Sequence, residues 1–194
     1  MDCTRPEYWD VRYRAHRIPW DLHGVPPALA GYLRRTAKPG AALLPGCGSA
    51  YEIKAFCDLG WTALAIDFSP AAVERARSFL GPLAATVRLA DFFTDELGGP
   101  FDLIYERTFL CSLPPARWPD YSRRMAQLLK PGGLLAGIFA YGEEPEPPPF
   151  PITAPAAREL FGGAFRLIED EPIPDEDSLP LFAGMERWQV WLRA

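Results

Sequence analysis

The sequence lacks the features of several functional classes. Its Lys/Arg runs do not exceed the pairs Arg34-Arg35 and Arg123-Arg124, and the formal net charge is -5. This balance argues against nucleic acid, which is bound by positively charged surfaces. No apolar run reaches the roughly 20 residues that span a bilayer, and the start "MDCTRPEYWD" has no apolar signal-peptide core. We therefore expect that the protein binds neither nucleic acid nor a membrane. We also expect a cytoplasmic location.

Metal ligands are also scarce. The chain has 2 histidines, His16 and His23, and 4 cysteines, and none of the cysteines forms a CxxC pair. A structural zinc site needs such ligands at short spacing, so we expect no metal site. The simplest interpretation of Cys57 and Cys111 is that of free, mostly buried thiols in a reducing compartment.

The composition is that of a folded α/β protein. The chain has 194 residues, of which 48% are hydrophobic and 23% charged, which favours one domain over residues 1–194. After about residue 40, short apolar runs alternate with helical patterns, as in parallel strands joined by crossover helices. We predict one seven-stranded, mostly parallel, Rossmann-like sheet with helices on both faces. The predicted strands are Ala41–Pro45, Ala63–Asp67, Thr86–Ala90, Phe101–Tyr105, Leu134–Tyr141, Arg166–Glu169 and Arg187–Leu192.

Helices are predicted between the strands and before them. Residues 1–37 contain no partner strand, so we expect them to form a helical lid over the α/β core of residues 38–194. Ser69-Pro70 provides an N-cap residue and a proline in the first helical turn. "KPGG", residues 130–133, is expected to separate the predicted helix Pro119–Leu129 from the strand after it. The predicted helices are Pro27–Arg35, Tyr51–Leu59, Ala71–Phe79, Pro119–Leu129 and Ala154–Phe161.

A glycine turn follows the first predicted strand in "LLPGCGSAYE". Gly46 and Gly48 flank Cys47, and glycine allows both a tight turn and a close approach of a ligand to the backbone. In an open parallel sheet, ligands bind beyond the carboxyl ends of the strands. A dinucleotide is one candidate, but Tyr51 stands where its fingerprint has a third glycine. S-adenosylmethionine is the other candidate, because it has no pyrophosphate and needs only close backbone approach.

Acidic and aromatic residues follow the next two predicted strands. In "LAIDFSP", Asp67 stands where a carboxylate can accept from both ribose hydroxyls, and Phe68 follows it. In "RLADFF", Asp91 can accept from an exocyclic amine and Phe92 offers a flat ring. Taken alone, Asp67 could be a helix cap, Asp91 a loop acid and Phe92 a core ring. Placed at successive strand ends with the glycine turn, they predict an adenosine site.

Five segments together resemble the class I S-adenosylmethionine-dependent methyltransferases, and specifically the thiopurine S-methyltransferase superfamily, which includes halide and thiol methyltransferases. They are "LLPGCGSAYE", "AIDFSP", "LADFF", "FDLIYERTFLC" and "LLKPGGLL". The N-terminal "EYWDVRYRAHRIPWDLHGVPPAL" is similar to the family's tryptophan-rich segment, so the resemblance covers nearly the whole chain.

The resemblance implies further cofactor residues. In the family the N-terminal segment closes over the cofactor with aromatic residues, and the matching positions are Trp9, Tyr13 and Trp20. The family commonly has tryptophan at the position of Tyr13, and a tyrosine ring can also face a cationic sulfonium. Arg107, in the loop expected after the fourth strand, matches an arginine of the thiopurine branch that reaches the methionine part or the substrate. All four could instead be packing or ion-pairing residues.

The expected reaction is transfer of the methyl group to a small, soft nucleophile, most simply a thiol. A thiol with a pKa near 8.5 needs alignment and a dry site more than it needs a base. No catalytic base is therefore assigned, and both histidines are expected to be exposed or capping. Thiols, halides and selenium or tellurium species stay open as acceptors. The acceptor site is expected from the lid, the loop after Tyr105 and the proline-rich segment 143–151.

Three other functions remain open at this point. They are an O- or N-methyltransferase of a small metabolite, a non-catalytic module that binds S-adenosylmethionine, and a nucleotide-dependent oxidoreductase.

Overall fold

The structure is a computed structural model that describes residues 2–36, 38–143, 147–182 and 184–194. The chain divides into two compact units, the first ending at Leu97 and the second beginning at Gly98. The seven strands form one mostly parallel sheet, so the predicted fold class is confirmed. Each unit is described below by itself.

The first unit carries three parallel strands in the order β3-β2-β1. β1 is Ala41–Pro45, β2 is Thr62–Asp67 and β3 is Val87–Leu89. The predicted β1 is confirmed residue for residue, while β3 is shorter than predicted because Thr86 belongs to a 3-10 turn. Since all three strands run the same way, their carboxyl ends lie at one edge.

Four helices of the first unit connect and precede these strands. Proline in the first turn starts three of the four, as expected for a residue that lacks an N–H group. The predicted helix Pro27–Arg35 has the same bounds in the structure. The helices are α1 Pro6–Arg14, α2 Pro27–Arg35, α3 Glu52–Asp58 and α4 Pro70–Leu80.

The second unit carries four strands in the order β4-β5-β7-β6, and β7 runs antiparallel to both of its neighbours. Its two α-helices are α5 and α6, and α6 has the predicted bounds. Tyr121, Met125 and Leu128 of α5 are buried, as their spacing predicted. The elements are β4 Phe101–Arg107, α5 Trp118–Leu128, β5 Leu129–Ala140, α6 Ala154–Phe161, β6 Phe165–Pro172 and β7 Glu186–Arg193.

Two sequence predictions about the second unit were wrong. β5 begins at Leu129, five residues before the predicted Leu134. The pairing of β5 with β4 shifts register between Phe101 and Leu103, so the "KPGG" residues form an irregularity inside the strand. β4 extends to Arg107, which pairs with Ile138, so this arginine belongs to the strand and not to the loop after it.

The cysteines are all free thiols, but their burial differs from the prediction. Cys111 is buried, at 6% exposure, as expected for a core residue. Cys57 is half-buried, because it lies near the end of the short helix α3. The prediction of a mostly buried Cys57 was therefore wrong.

Candidate functional site

The glycine turn after β1 adopts a backbone conformation that favours glycine. Gly46 has a φ of 59° and Gly48 a φ of 53°, both in the left-handed region. The N–H of Cys47, between them, donates to the carbonyl oxygen of Ile66 at 3.0 Å, which fixes the turn against β2. A Cβ atom on Gly48 would lie 2.6 Å from the hydroxyl oxygen of Tyr13. The turn therefore needs glycine at residue 48 for both its conformation and its contact.

Asp67 joins the glycine turn to the end of β2. Its Oδ2 accepts from the N–H of Gly48 at 3.0 Å, and its Oδ1 accepts from the N–H of Ser69 at 2.9 Å. Burial raises the pKa of this carboxyl to about 6, although the backbone hydrogen bonds oppose the shift. A carboxylate has about four lone-pair sites, so both oxygens can still accept from a ligand hydroxyl.

The residues predicted to contact adenosine after β3 follow Ala90, which is hydrogen-bonded to Asp67. The N–H of Ala90 donates to the carbonyl oxygen of Asp67 at 3.0 Å, which holds the end of β3 against the end of β2. Asp91 is half-buried and its Oδ1 accepts from the N–H of Phe93 at 2.7 Å. Phe92 is buried, at 4% exposure, and Phe68 is half-buried. The ends of β2 and β3 in the first unit thus lie side by side.

The three N-terminal aromatic residues form one cluster. The ring centroids of Trp9 and Trp20 are 5.4 Å apart, and those of Tyr13 and Trp20 are 6.1 Å apart, both in edge-to-face arrangements. Tyr13 packs with Ile18 and with Ala71 at the start of α4, and the two tryptophans pack against that group. The Nε1–H of Trp20 donates to the hydroxyl oxygen of Tyr13 at 3.4 Å. The aromatic segment therefore lies over the residues that follow β1 and β2.

Asp10 fixes α1 to α4 and was missed by the sequence analysis. Its Oδ1 accepts from the hydroxyl of Ser69 at 2.5 Å and from the N–H of Ala71 at 3.0 Å. Ser69 itself accepts from the N–H of Ala72 at 3.2 Å, as its predicted N-cap role requires. A carboxylate near the start of a helix also interacts favourably with the helix dipole. The start of α4 is thus capped twice, once from 59 residues away in the chain.

Asp21 fixes the end of the aromatic segment to the loop after β1. It is buried, at 9% exposure, and its Oδ2 accepts from the hydroxyl of Ser49 at 2.7 Å. The guanidinium of Arg75 lies 3.5 Å from the same oxygen and donates through Nε to Ser49 at 2.8 Å. Tyr51, which replaces the third glycine of a dinucleotide fingerprint, donates to Asp21 at 3.4 Å. The N-terminal segment is therefore held at two points, Asp10 and Asp21.

The remaining predicted residues of the first unit have less specific surroundings. His16 and His23 are exposed, as expected, and both have positive φ angles, of 53° and 57°. Burial, followed by the nearby charge of Asp67, raises the pKa of the Cys47 thiol well above its usual value. Cys47 is therefore a neutral thiol at physiological pH and contributes no reactive thiolate.

In the second unit, Glu106 organises the segment that follows β4. This carboxyl group is buried, at 1% exposure. Its Oε1 accepts from the N–H groups of Phe109 and Leu110, at 2.8 and 3.0 Å, and its Oε2 accepts from the hydroxyl of Tyr121 at 2.6 Å. Burial raises the pKa of Glu106 to about 7, against the effect of these hydrogen bonds. Glu106 is therefore an internal hydrogen-bonding residue, a role that the sequence analysis did not identify.

Arg107 is half-buried at the end of β4. Burial raises the pKa of Glu186, whereas the hydrogen bond from the Ser178 hydroxyl and the positive charge of Arg107 oppose that rise. A small cavity of about 10 Å³ near Glu106 and Glu186 is lined by Thr108, Cys111 and apolar residues of β5. That volume holds about one water molecule.

The proline-rich segment lies partly outside the described residues, which omit residues 144–146. At its described end, the N–H of Phe150 donates to the carbonyl oxygen of Cys111 at 2.6 Å. This bond joins the segment to the chain that follows β4. In the described ranges, no helix has the length and apolarity to cross a membrane. The same residues include no group of three or more His, Cys, Asp or Glu side chains that could hold a metal ion.

Comparison with known proteins identifies relatives for nearly the whole chain. The family described as thiopurine S-methyltransferase matches residues 4–193. A probable thiol methyltransferase 2 of Arabidopsis thaliana is 34% identical over 151 residues, which cover 75% of this chain and 67% of the relative. A thiopurine S-methyltransferase of Vibrio cholerae serotype O1 is 28% identical over 211 residues, covering 96% of each chain.

A solved structure with a similar fold is that of the Burkholderia thailandensis 1,6-didemethyltoxoflavin-N1-methyltransferase with bound 1,6-didemethyltoxoflavin and S-adenosylhomocysteine. It has a TM-score of 0.75 and 16% identity, and covers 97% of this chain and 87% of that chain. At this level of identity the likeness shows the fold alone.

Proposed function

Because the chain belongs to the thiopurine S-methyltransferase family, whose members use S-adenosylmethionine, we propose that its first unit binds this cofactor at the glycine turn for methyl transfer to a small thiol. The observation that carries the proposal is the buried Asp67 carboxylate, which accepts from Gly48 and retains lone pairs for further donors. The left-handed turn at Gly46 and Gly48 places backbone without a Cβ atom beside Asp67. This combination suits a ribose next to a thioether or sulfonium group.

The proposed assignment of cofactor residues follows the strand ends. Asp67 accepts from the ribose hydroxyls, Asp91 accepts from the adenine amine, and Phe68 and Phe92 flank the adenosine. Gly46, Cys47 and Gly48 contact the cofactor through the backbone. Trp9, Tyr13 and Trp20 cover it, and their docking through Asp10 and Asp21 supports this role. Arg107 of the second unit is proposed to hold an anionic group of the cofactor or the acceptor.

The cofactor, when bound, supplies an electrophilic methyl group on a sulfonium. The chain's contribution is to align the nucleophile at roughly 3–3.5 Å and to exclude water. Thiols have pKa values near 8.5, so a fraction is already thiolate at neutral pH. No general base is therefore required, and none of the site residues is assigned that role. The aromatic segment provides water exclusion and ring faces for the cation.

The direct test is a methyl-transfer assay with labelled S-adenosylmethionine and a panel of thiols, phenols, amines and halides. We expect methylated thiols as the main products. Asp67→Ala should lower kcat/KM for the cofactor by about tenfold or more, because each hydrogen bond to a charged group contributes about 1.5–3 kcal/mol. Asp58→Ala is the matched control, because Asp58 is exposed and pairs with Lys54 on the surface. Its activity should equal that of the unmodified protein.

The assay separates the alternatives that the sequence left open. Transfer to phenols or amines but to no thiol would replace the proposal with an O- or N-methyltransferase. Cofactor binding without transfer to any acceptor would indicate a non-catalytic module. Absence of binding to both S-adenosylmethionine and S-adenosylhomocysteine at millimolar concentration would remove the proposal entirely.

The proposal also covers the domain organisation, the type of methyl acceptor and the cellular location. The family match spans residues 4–193, which supports one methyltransferase domain over the whole chain. The net charge of -5 supports a small-molecule acceptor and not a nucleic acid. Four free thiols support a cytoplasmic location, where thiols stay reduced.

A further inference from the structure

Tyr13 is a buried polar side chain aimed at the glycine turn. The residue is 7% exposed, and its hydroxyl oxygen lies 2.6 Å from the position that a Cβ of Gly48 would occupy. Its docking is fixed by the packing of its ring against Ala71 and Ala72 and by the neighbouring Asp10 bonds. The hydroxyl therefore faces the backbone that the proposed function assigns to the cofactor.

The hydroxyl of Tyr13 accepts one hydrogen bond but donates none within the described residues. A phenol group has one proton to donate and can also accept. The oxygen accepts from the Nε1–H of Trp20 at 3.4 Å. Across residues 2–36, 38–143, 147–182 and 184–194, no oxygen accepts the phenol proton. A buried donor without an acceptor is unfavourable, so the site is suited to an acceptor that a bound molecule supplies.

The hydroxyl is a donor throughout the physiological pH range. Burial raises the pKa of Tyr13 well above its usual value, and the charge of Asp67 raises it further. The phenol consequently keeps its proton and cannot act as an anion. It requires a partner with an acceptor oxygen.

The order of the strands indicates which part of the cofactor meets Tyr13. Along β3-β2-β1, the proposed contacts run from adenine at Asp91 to ribose at Asp67. The amino-acid part then lies at Gly48, beneath the Tyr13 hydroxyl. The sulfonium and the ammonium of that part are cations and accept no hydrogen bond. Its α-carboxylate is the strongest acceptor available.

We propose that the hydroxyl of Tyr13 donates a hydrogen bond to the α-carboxylate of the bound cofactor and thereby positions its amino-acid part. This inference rests on the proposed function. A tryptophan, which the family commonly has at this position, carries an indole N–H donor in place of this hydroxyl. Tyr13 acts as a positioning residue and takes no part in bond making.

The test is a calorimetric cycle of two proteins and two ligands. The proteins are the unmodified chain and Tyr13→Phe, which keeps the ring and removes the hydroxyl. The ligands are S-adenosylhomocysteine and its decarboxylated analogue S-adenosyl-3-thiopropylamine, which keeps the ammonium. We expect Tyr13→Phe to weaken S-adenosylhomocysteine by about tenfold or more, since hydrogen bonds to charged groups are among the strongest. The affinity for the decarboxylated analogue should change by less than about threefold.

Each contrary result has a distinct meaning. Equal losses for both ligands would overturn the inference, because the hydroxyl would then contact the nucleoside or support the lid. An unchanged affinity of Tyr13→Phe for S-adenosylhomocysteine would overturn it as well. If the variant does not fold, the unmodified chain decides, since equal affinity for the two ligands excludes a carboxylate contact. Failure of the unmodified chain to bind either ligand would instead sink the proposed function.

Discussion

Cofactor binding should weaken in acid because of Asp67. Burial raises the pKa of this carboxyl to about 6 in the unliganded protein. In the proposed site the ionised carboxylate would accept from two ribose hydroxyls, whereas the protonated group would have to donate its own proton. Ligand binding therefore favours the ionised form. The affinity for S-adenosylhomocysteine is expected to be full above about pH 7 and to fall as the pH drops through about 6.

The magnitude follows from the titration of one group. About one pH unit below its pKa, a carboxyl is roughly one-tenth ionised, so the affinity at about pH 5 should be about tenfold lower than at pH 7. This ratio corresponds to about 1.4 kcal/mol of binding free energy. Calorimetric titration with S-adenosylhomocysteine at intervals from about pH 5 to 8 measures it, since the ligand's own carboxylate and amine keep their charges in that range.

Asp67→Asn is the control that isolates this group. The variant removes this one carboxyl group and retains every other ionisable side chain of the protein. Its affinity should be lower than that of the unmodified protein at pH 7 and should vary little with pH. A pH profile of the same steepness in Asp67→Asn would refute the reasoning, as would an affinity that rises on acidification.

Two further variants test the turn and the buried acid. Gly48→Ala should lower the free energy of unfolding by about 1–2 kcal/mol, because a left-handed φ is unfavourable for alanine and the new Cβ meets Tyr13. Gly31→Ala is the control, because nothing lies within 4 Å of its Cβ. Equal melting temperatures of the two variants would contradict this expectation. Because the pKa of Glu106 rises from 4.5 to about 7 on folding, its contribution to stability is present below pH 4.5 and is lost as the pH rises through about 7. Glu106→Gln keeps the shape of the side chain and an amide that can hydrogen-bond with the Tyr121 hydroxyl, but it does not titrate. The variant should flatten the pH dependence of stability in melting experiments from about pH 4 to 8. An unchanged pH dependence would assign the effect to other groups.

Local signals in the sequence were sufficient for much of the fold. Helix α2 and strand β1 have the predicted bounds because proline, glycine and charged residues mark their ends. Ser69 was predicted as an N-cap and accepts from Ala72. The convergence of Gly48 and Asp67 was also predictable, since parallel neighbouring strands end at one edge. The Gly48–Asp67 hydrogen bond confirms that these two residues meet.

Contacts between distant segments could not be predicted. Asp10 and Asp21 look like surface acids in the sequence, and their partners, Ser69 and Ser49, lie far along the chain. Glu106 follows the predicted strand Phe101–Tyr105, and its buried position was not predicted. It is tolerated in the interior because Phe109, Leu110 and Tyr121 supply three donors. A one-dimensional pattern does not reveal where such donors will come from.

The two attachments of the N-terminal segment carry an electrostatic consequence for the reaction cycle. Asp10 and Asp21 bring two carboxylates to the loops around Asp67, and the charge of Asp10 adds to burial in raising the Asp67 pKa. Arg75 offsets part of this negative charge. Methyl transfer converts a sulfonium cation into a neutral thioether, so the attraction between the proposed site and its ligand declines as the reaction proceeds. We therefore expect the electrostatic part of the attraction to be weaker for S-adenosylhomocysteine than for S-adenosylmethionine.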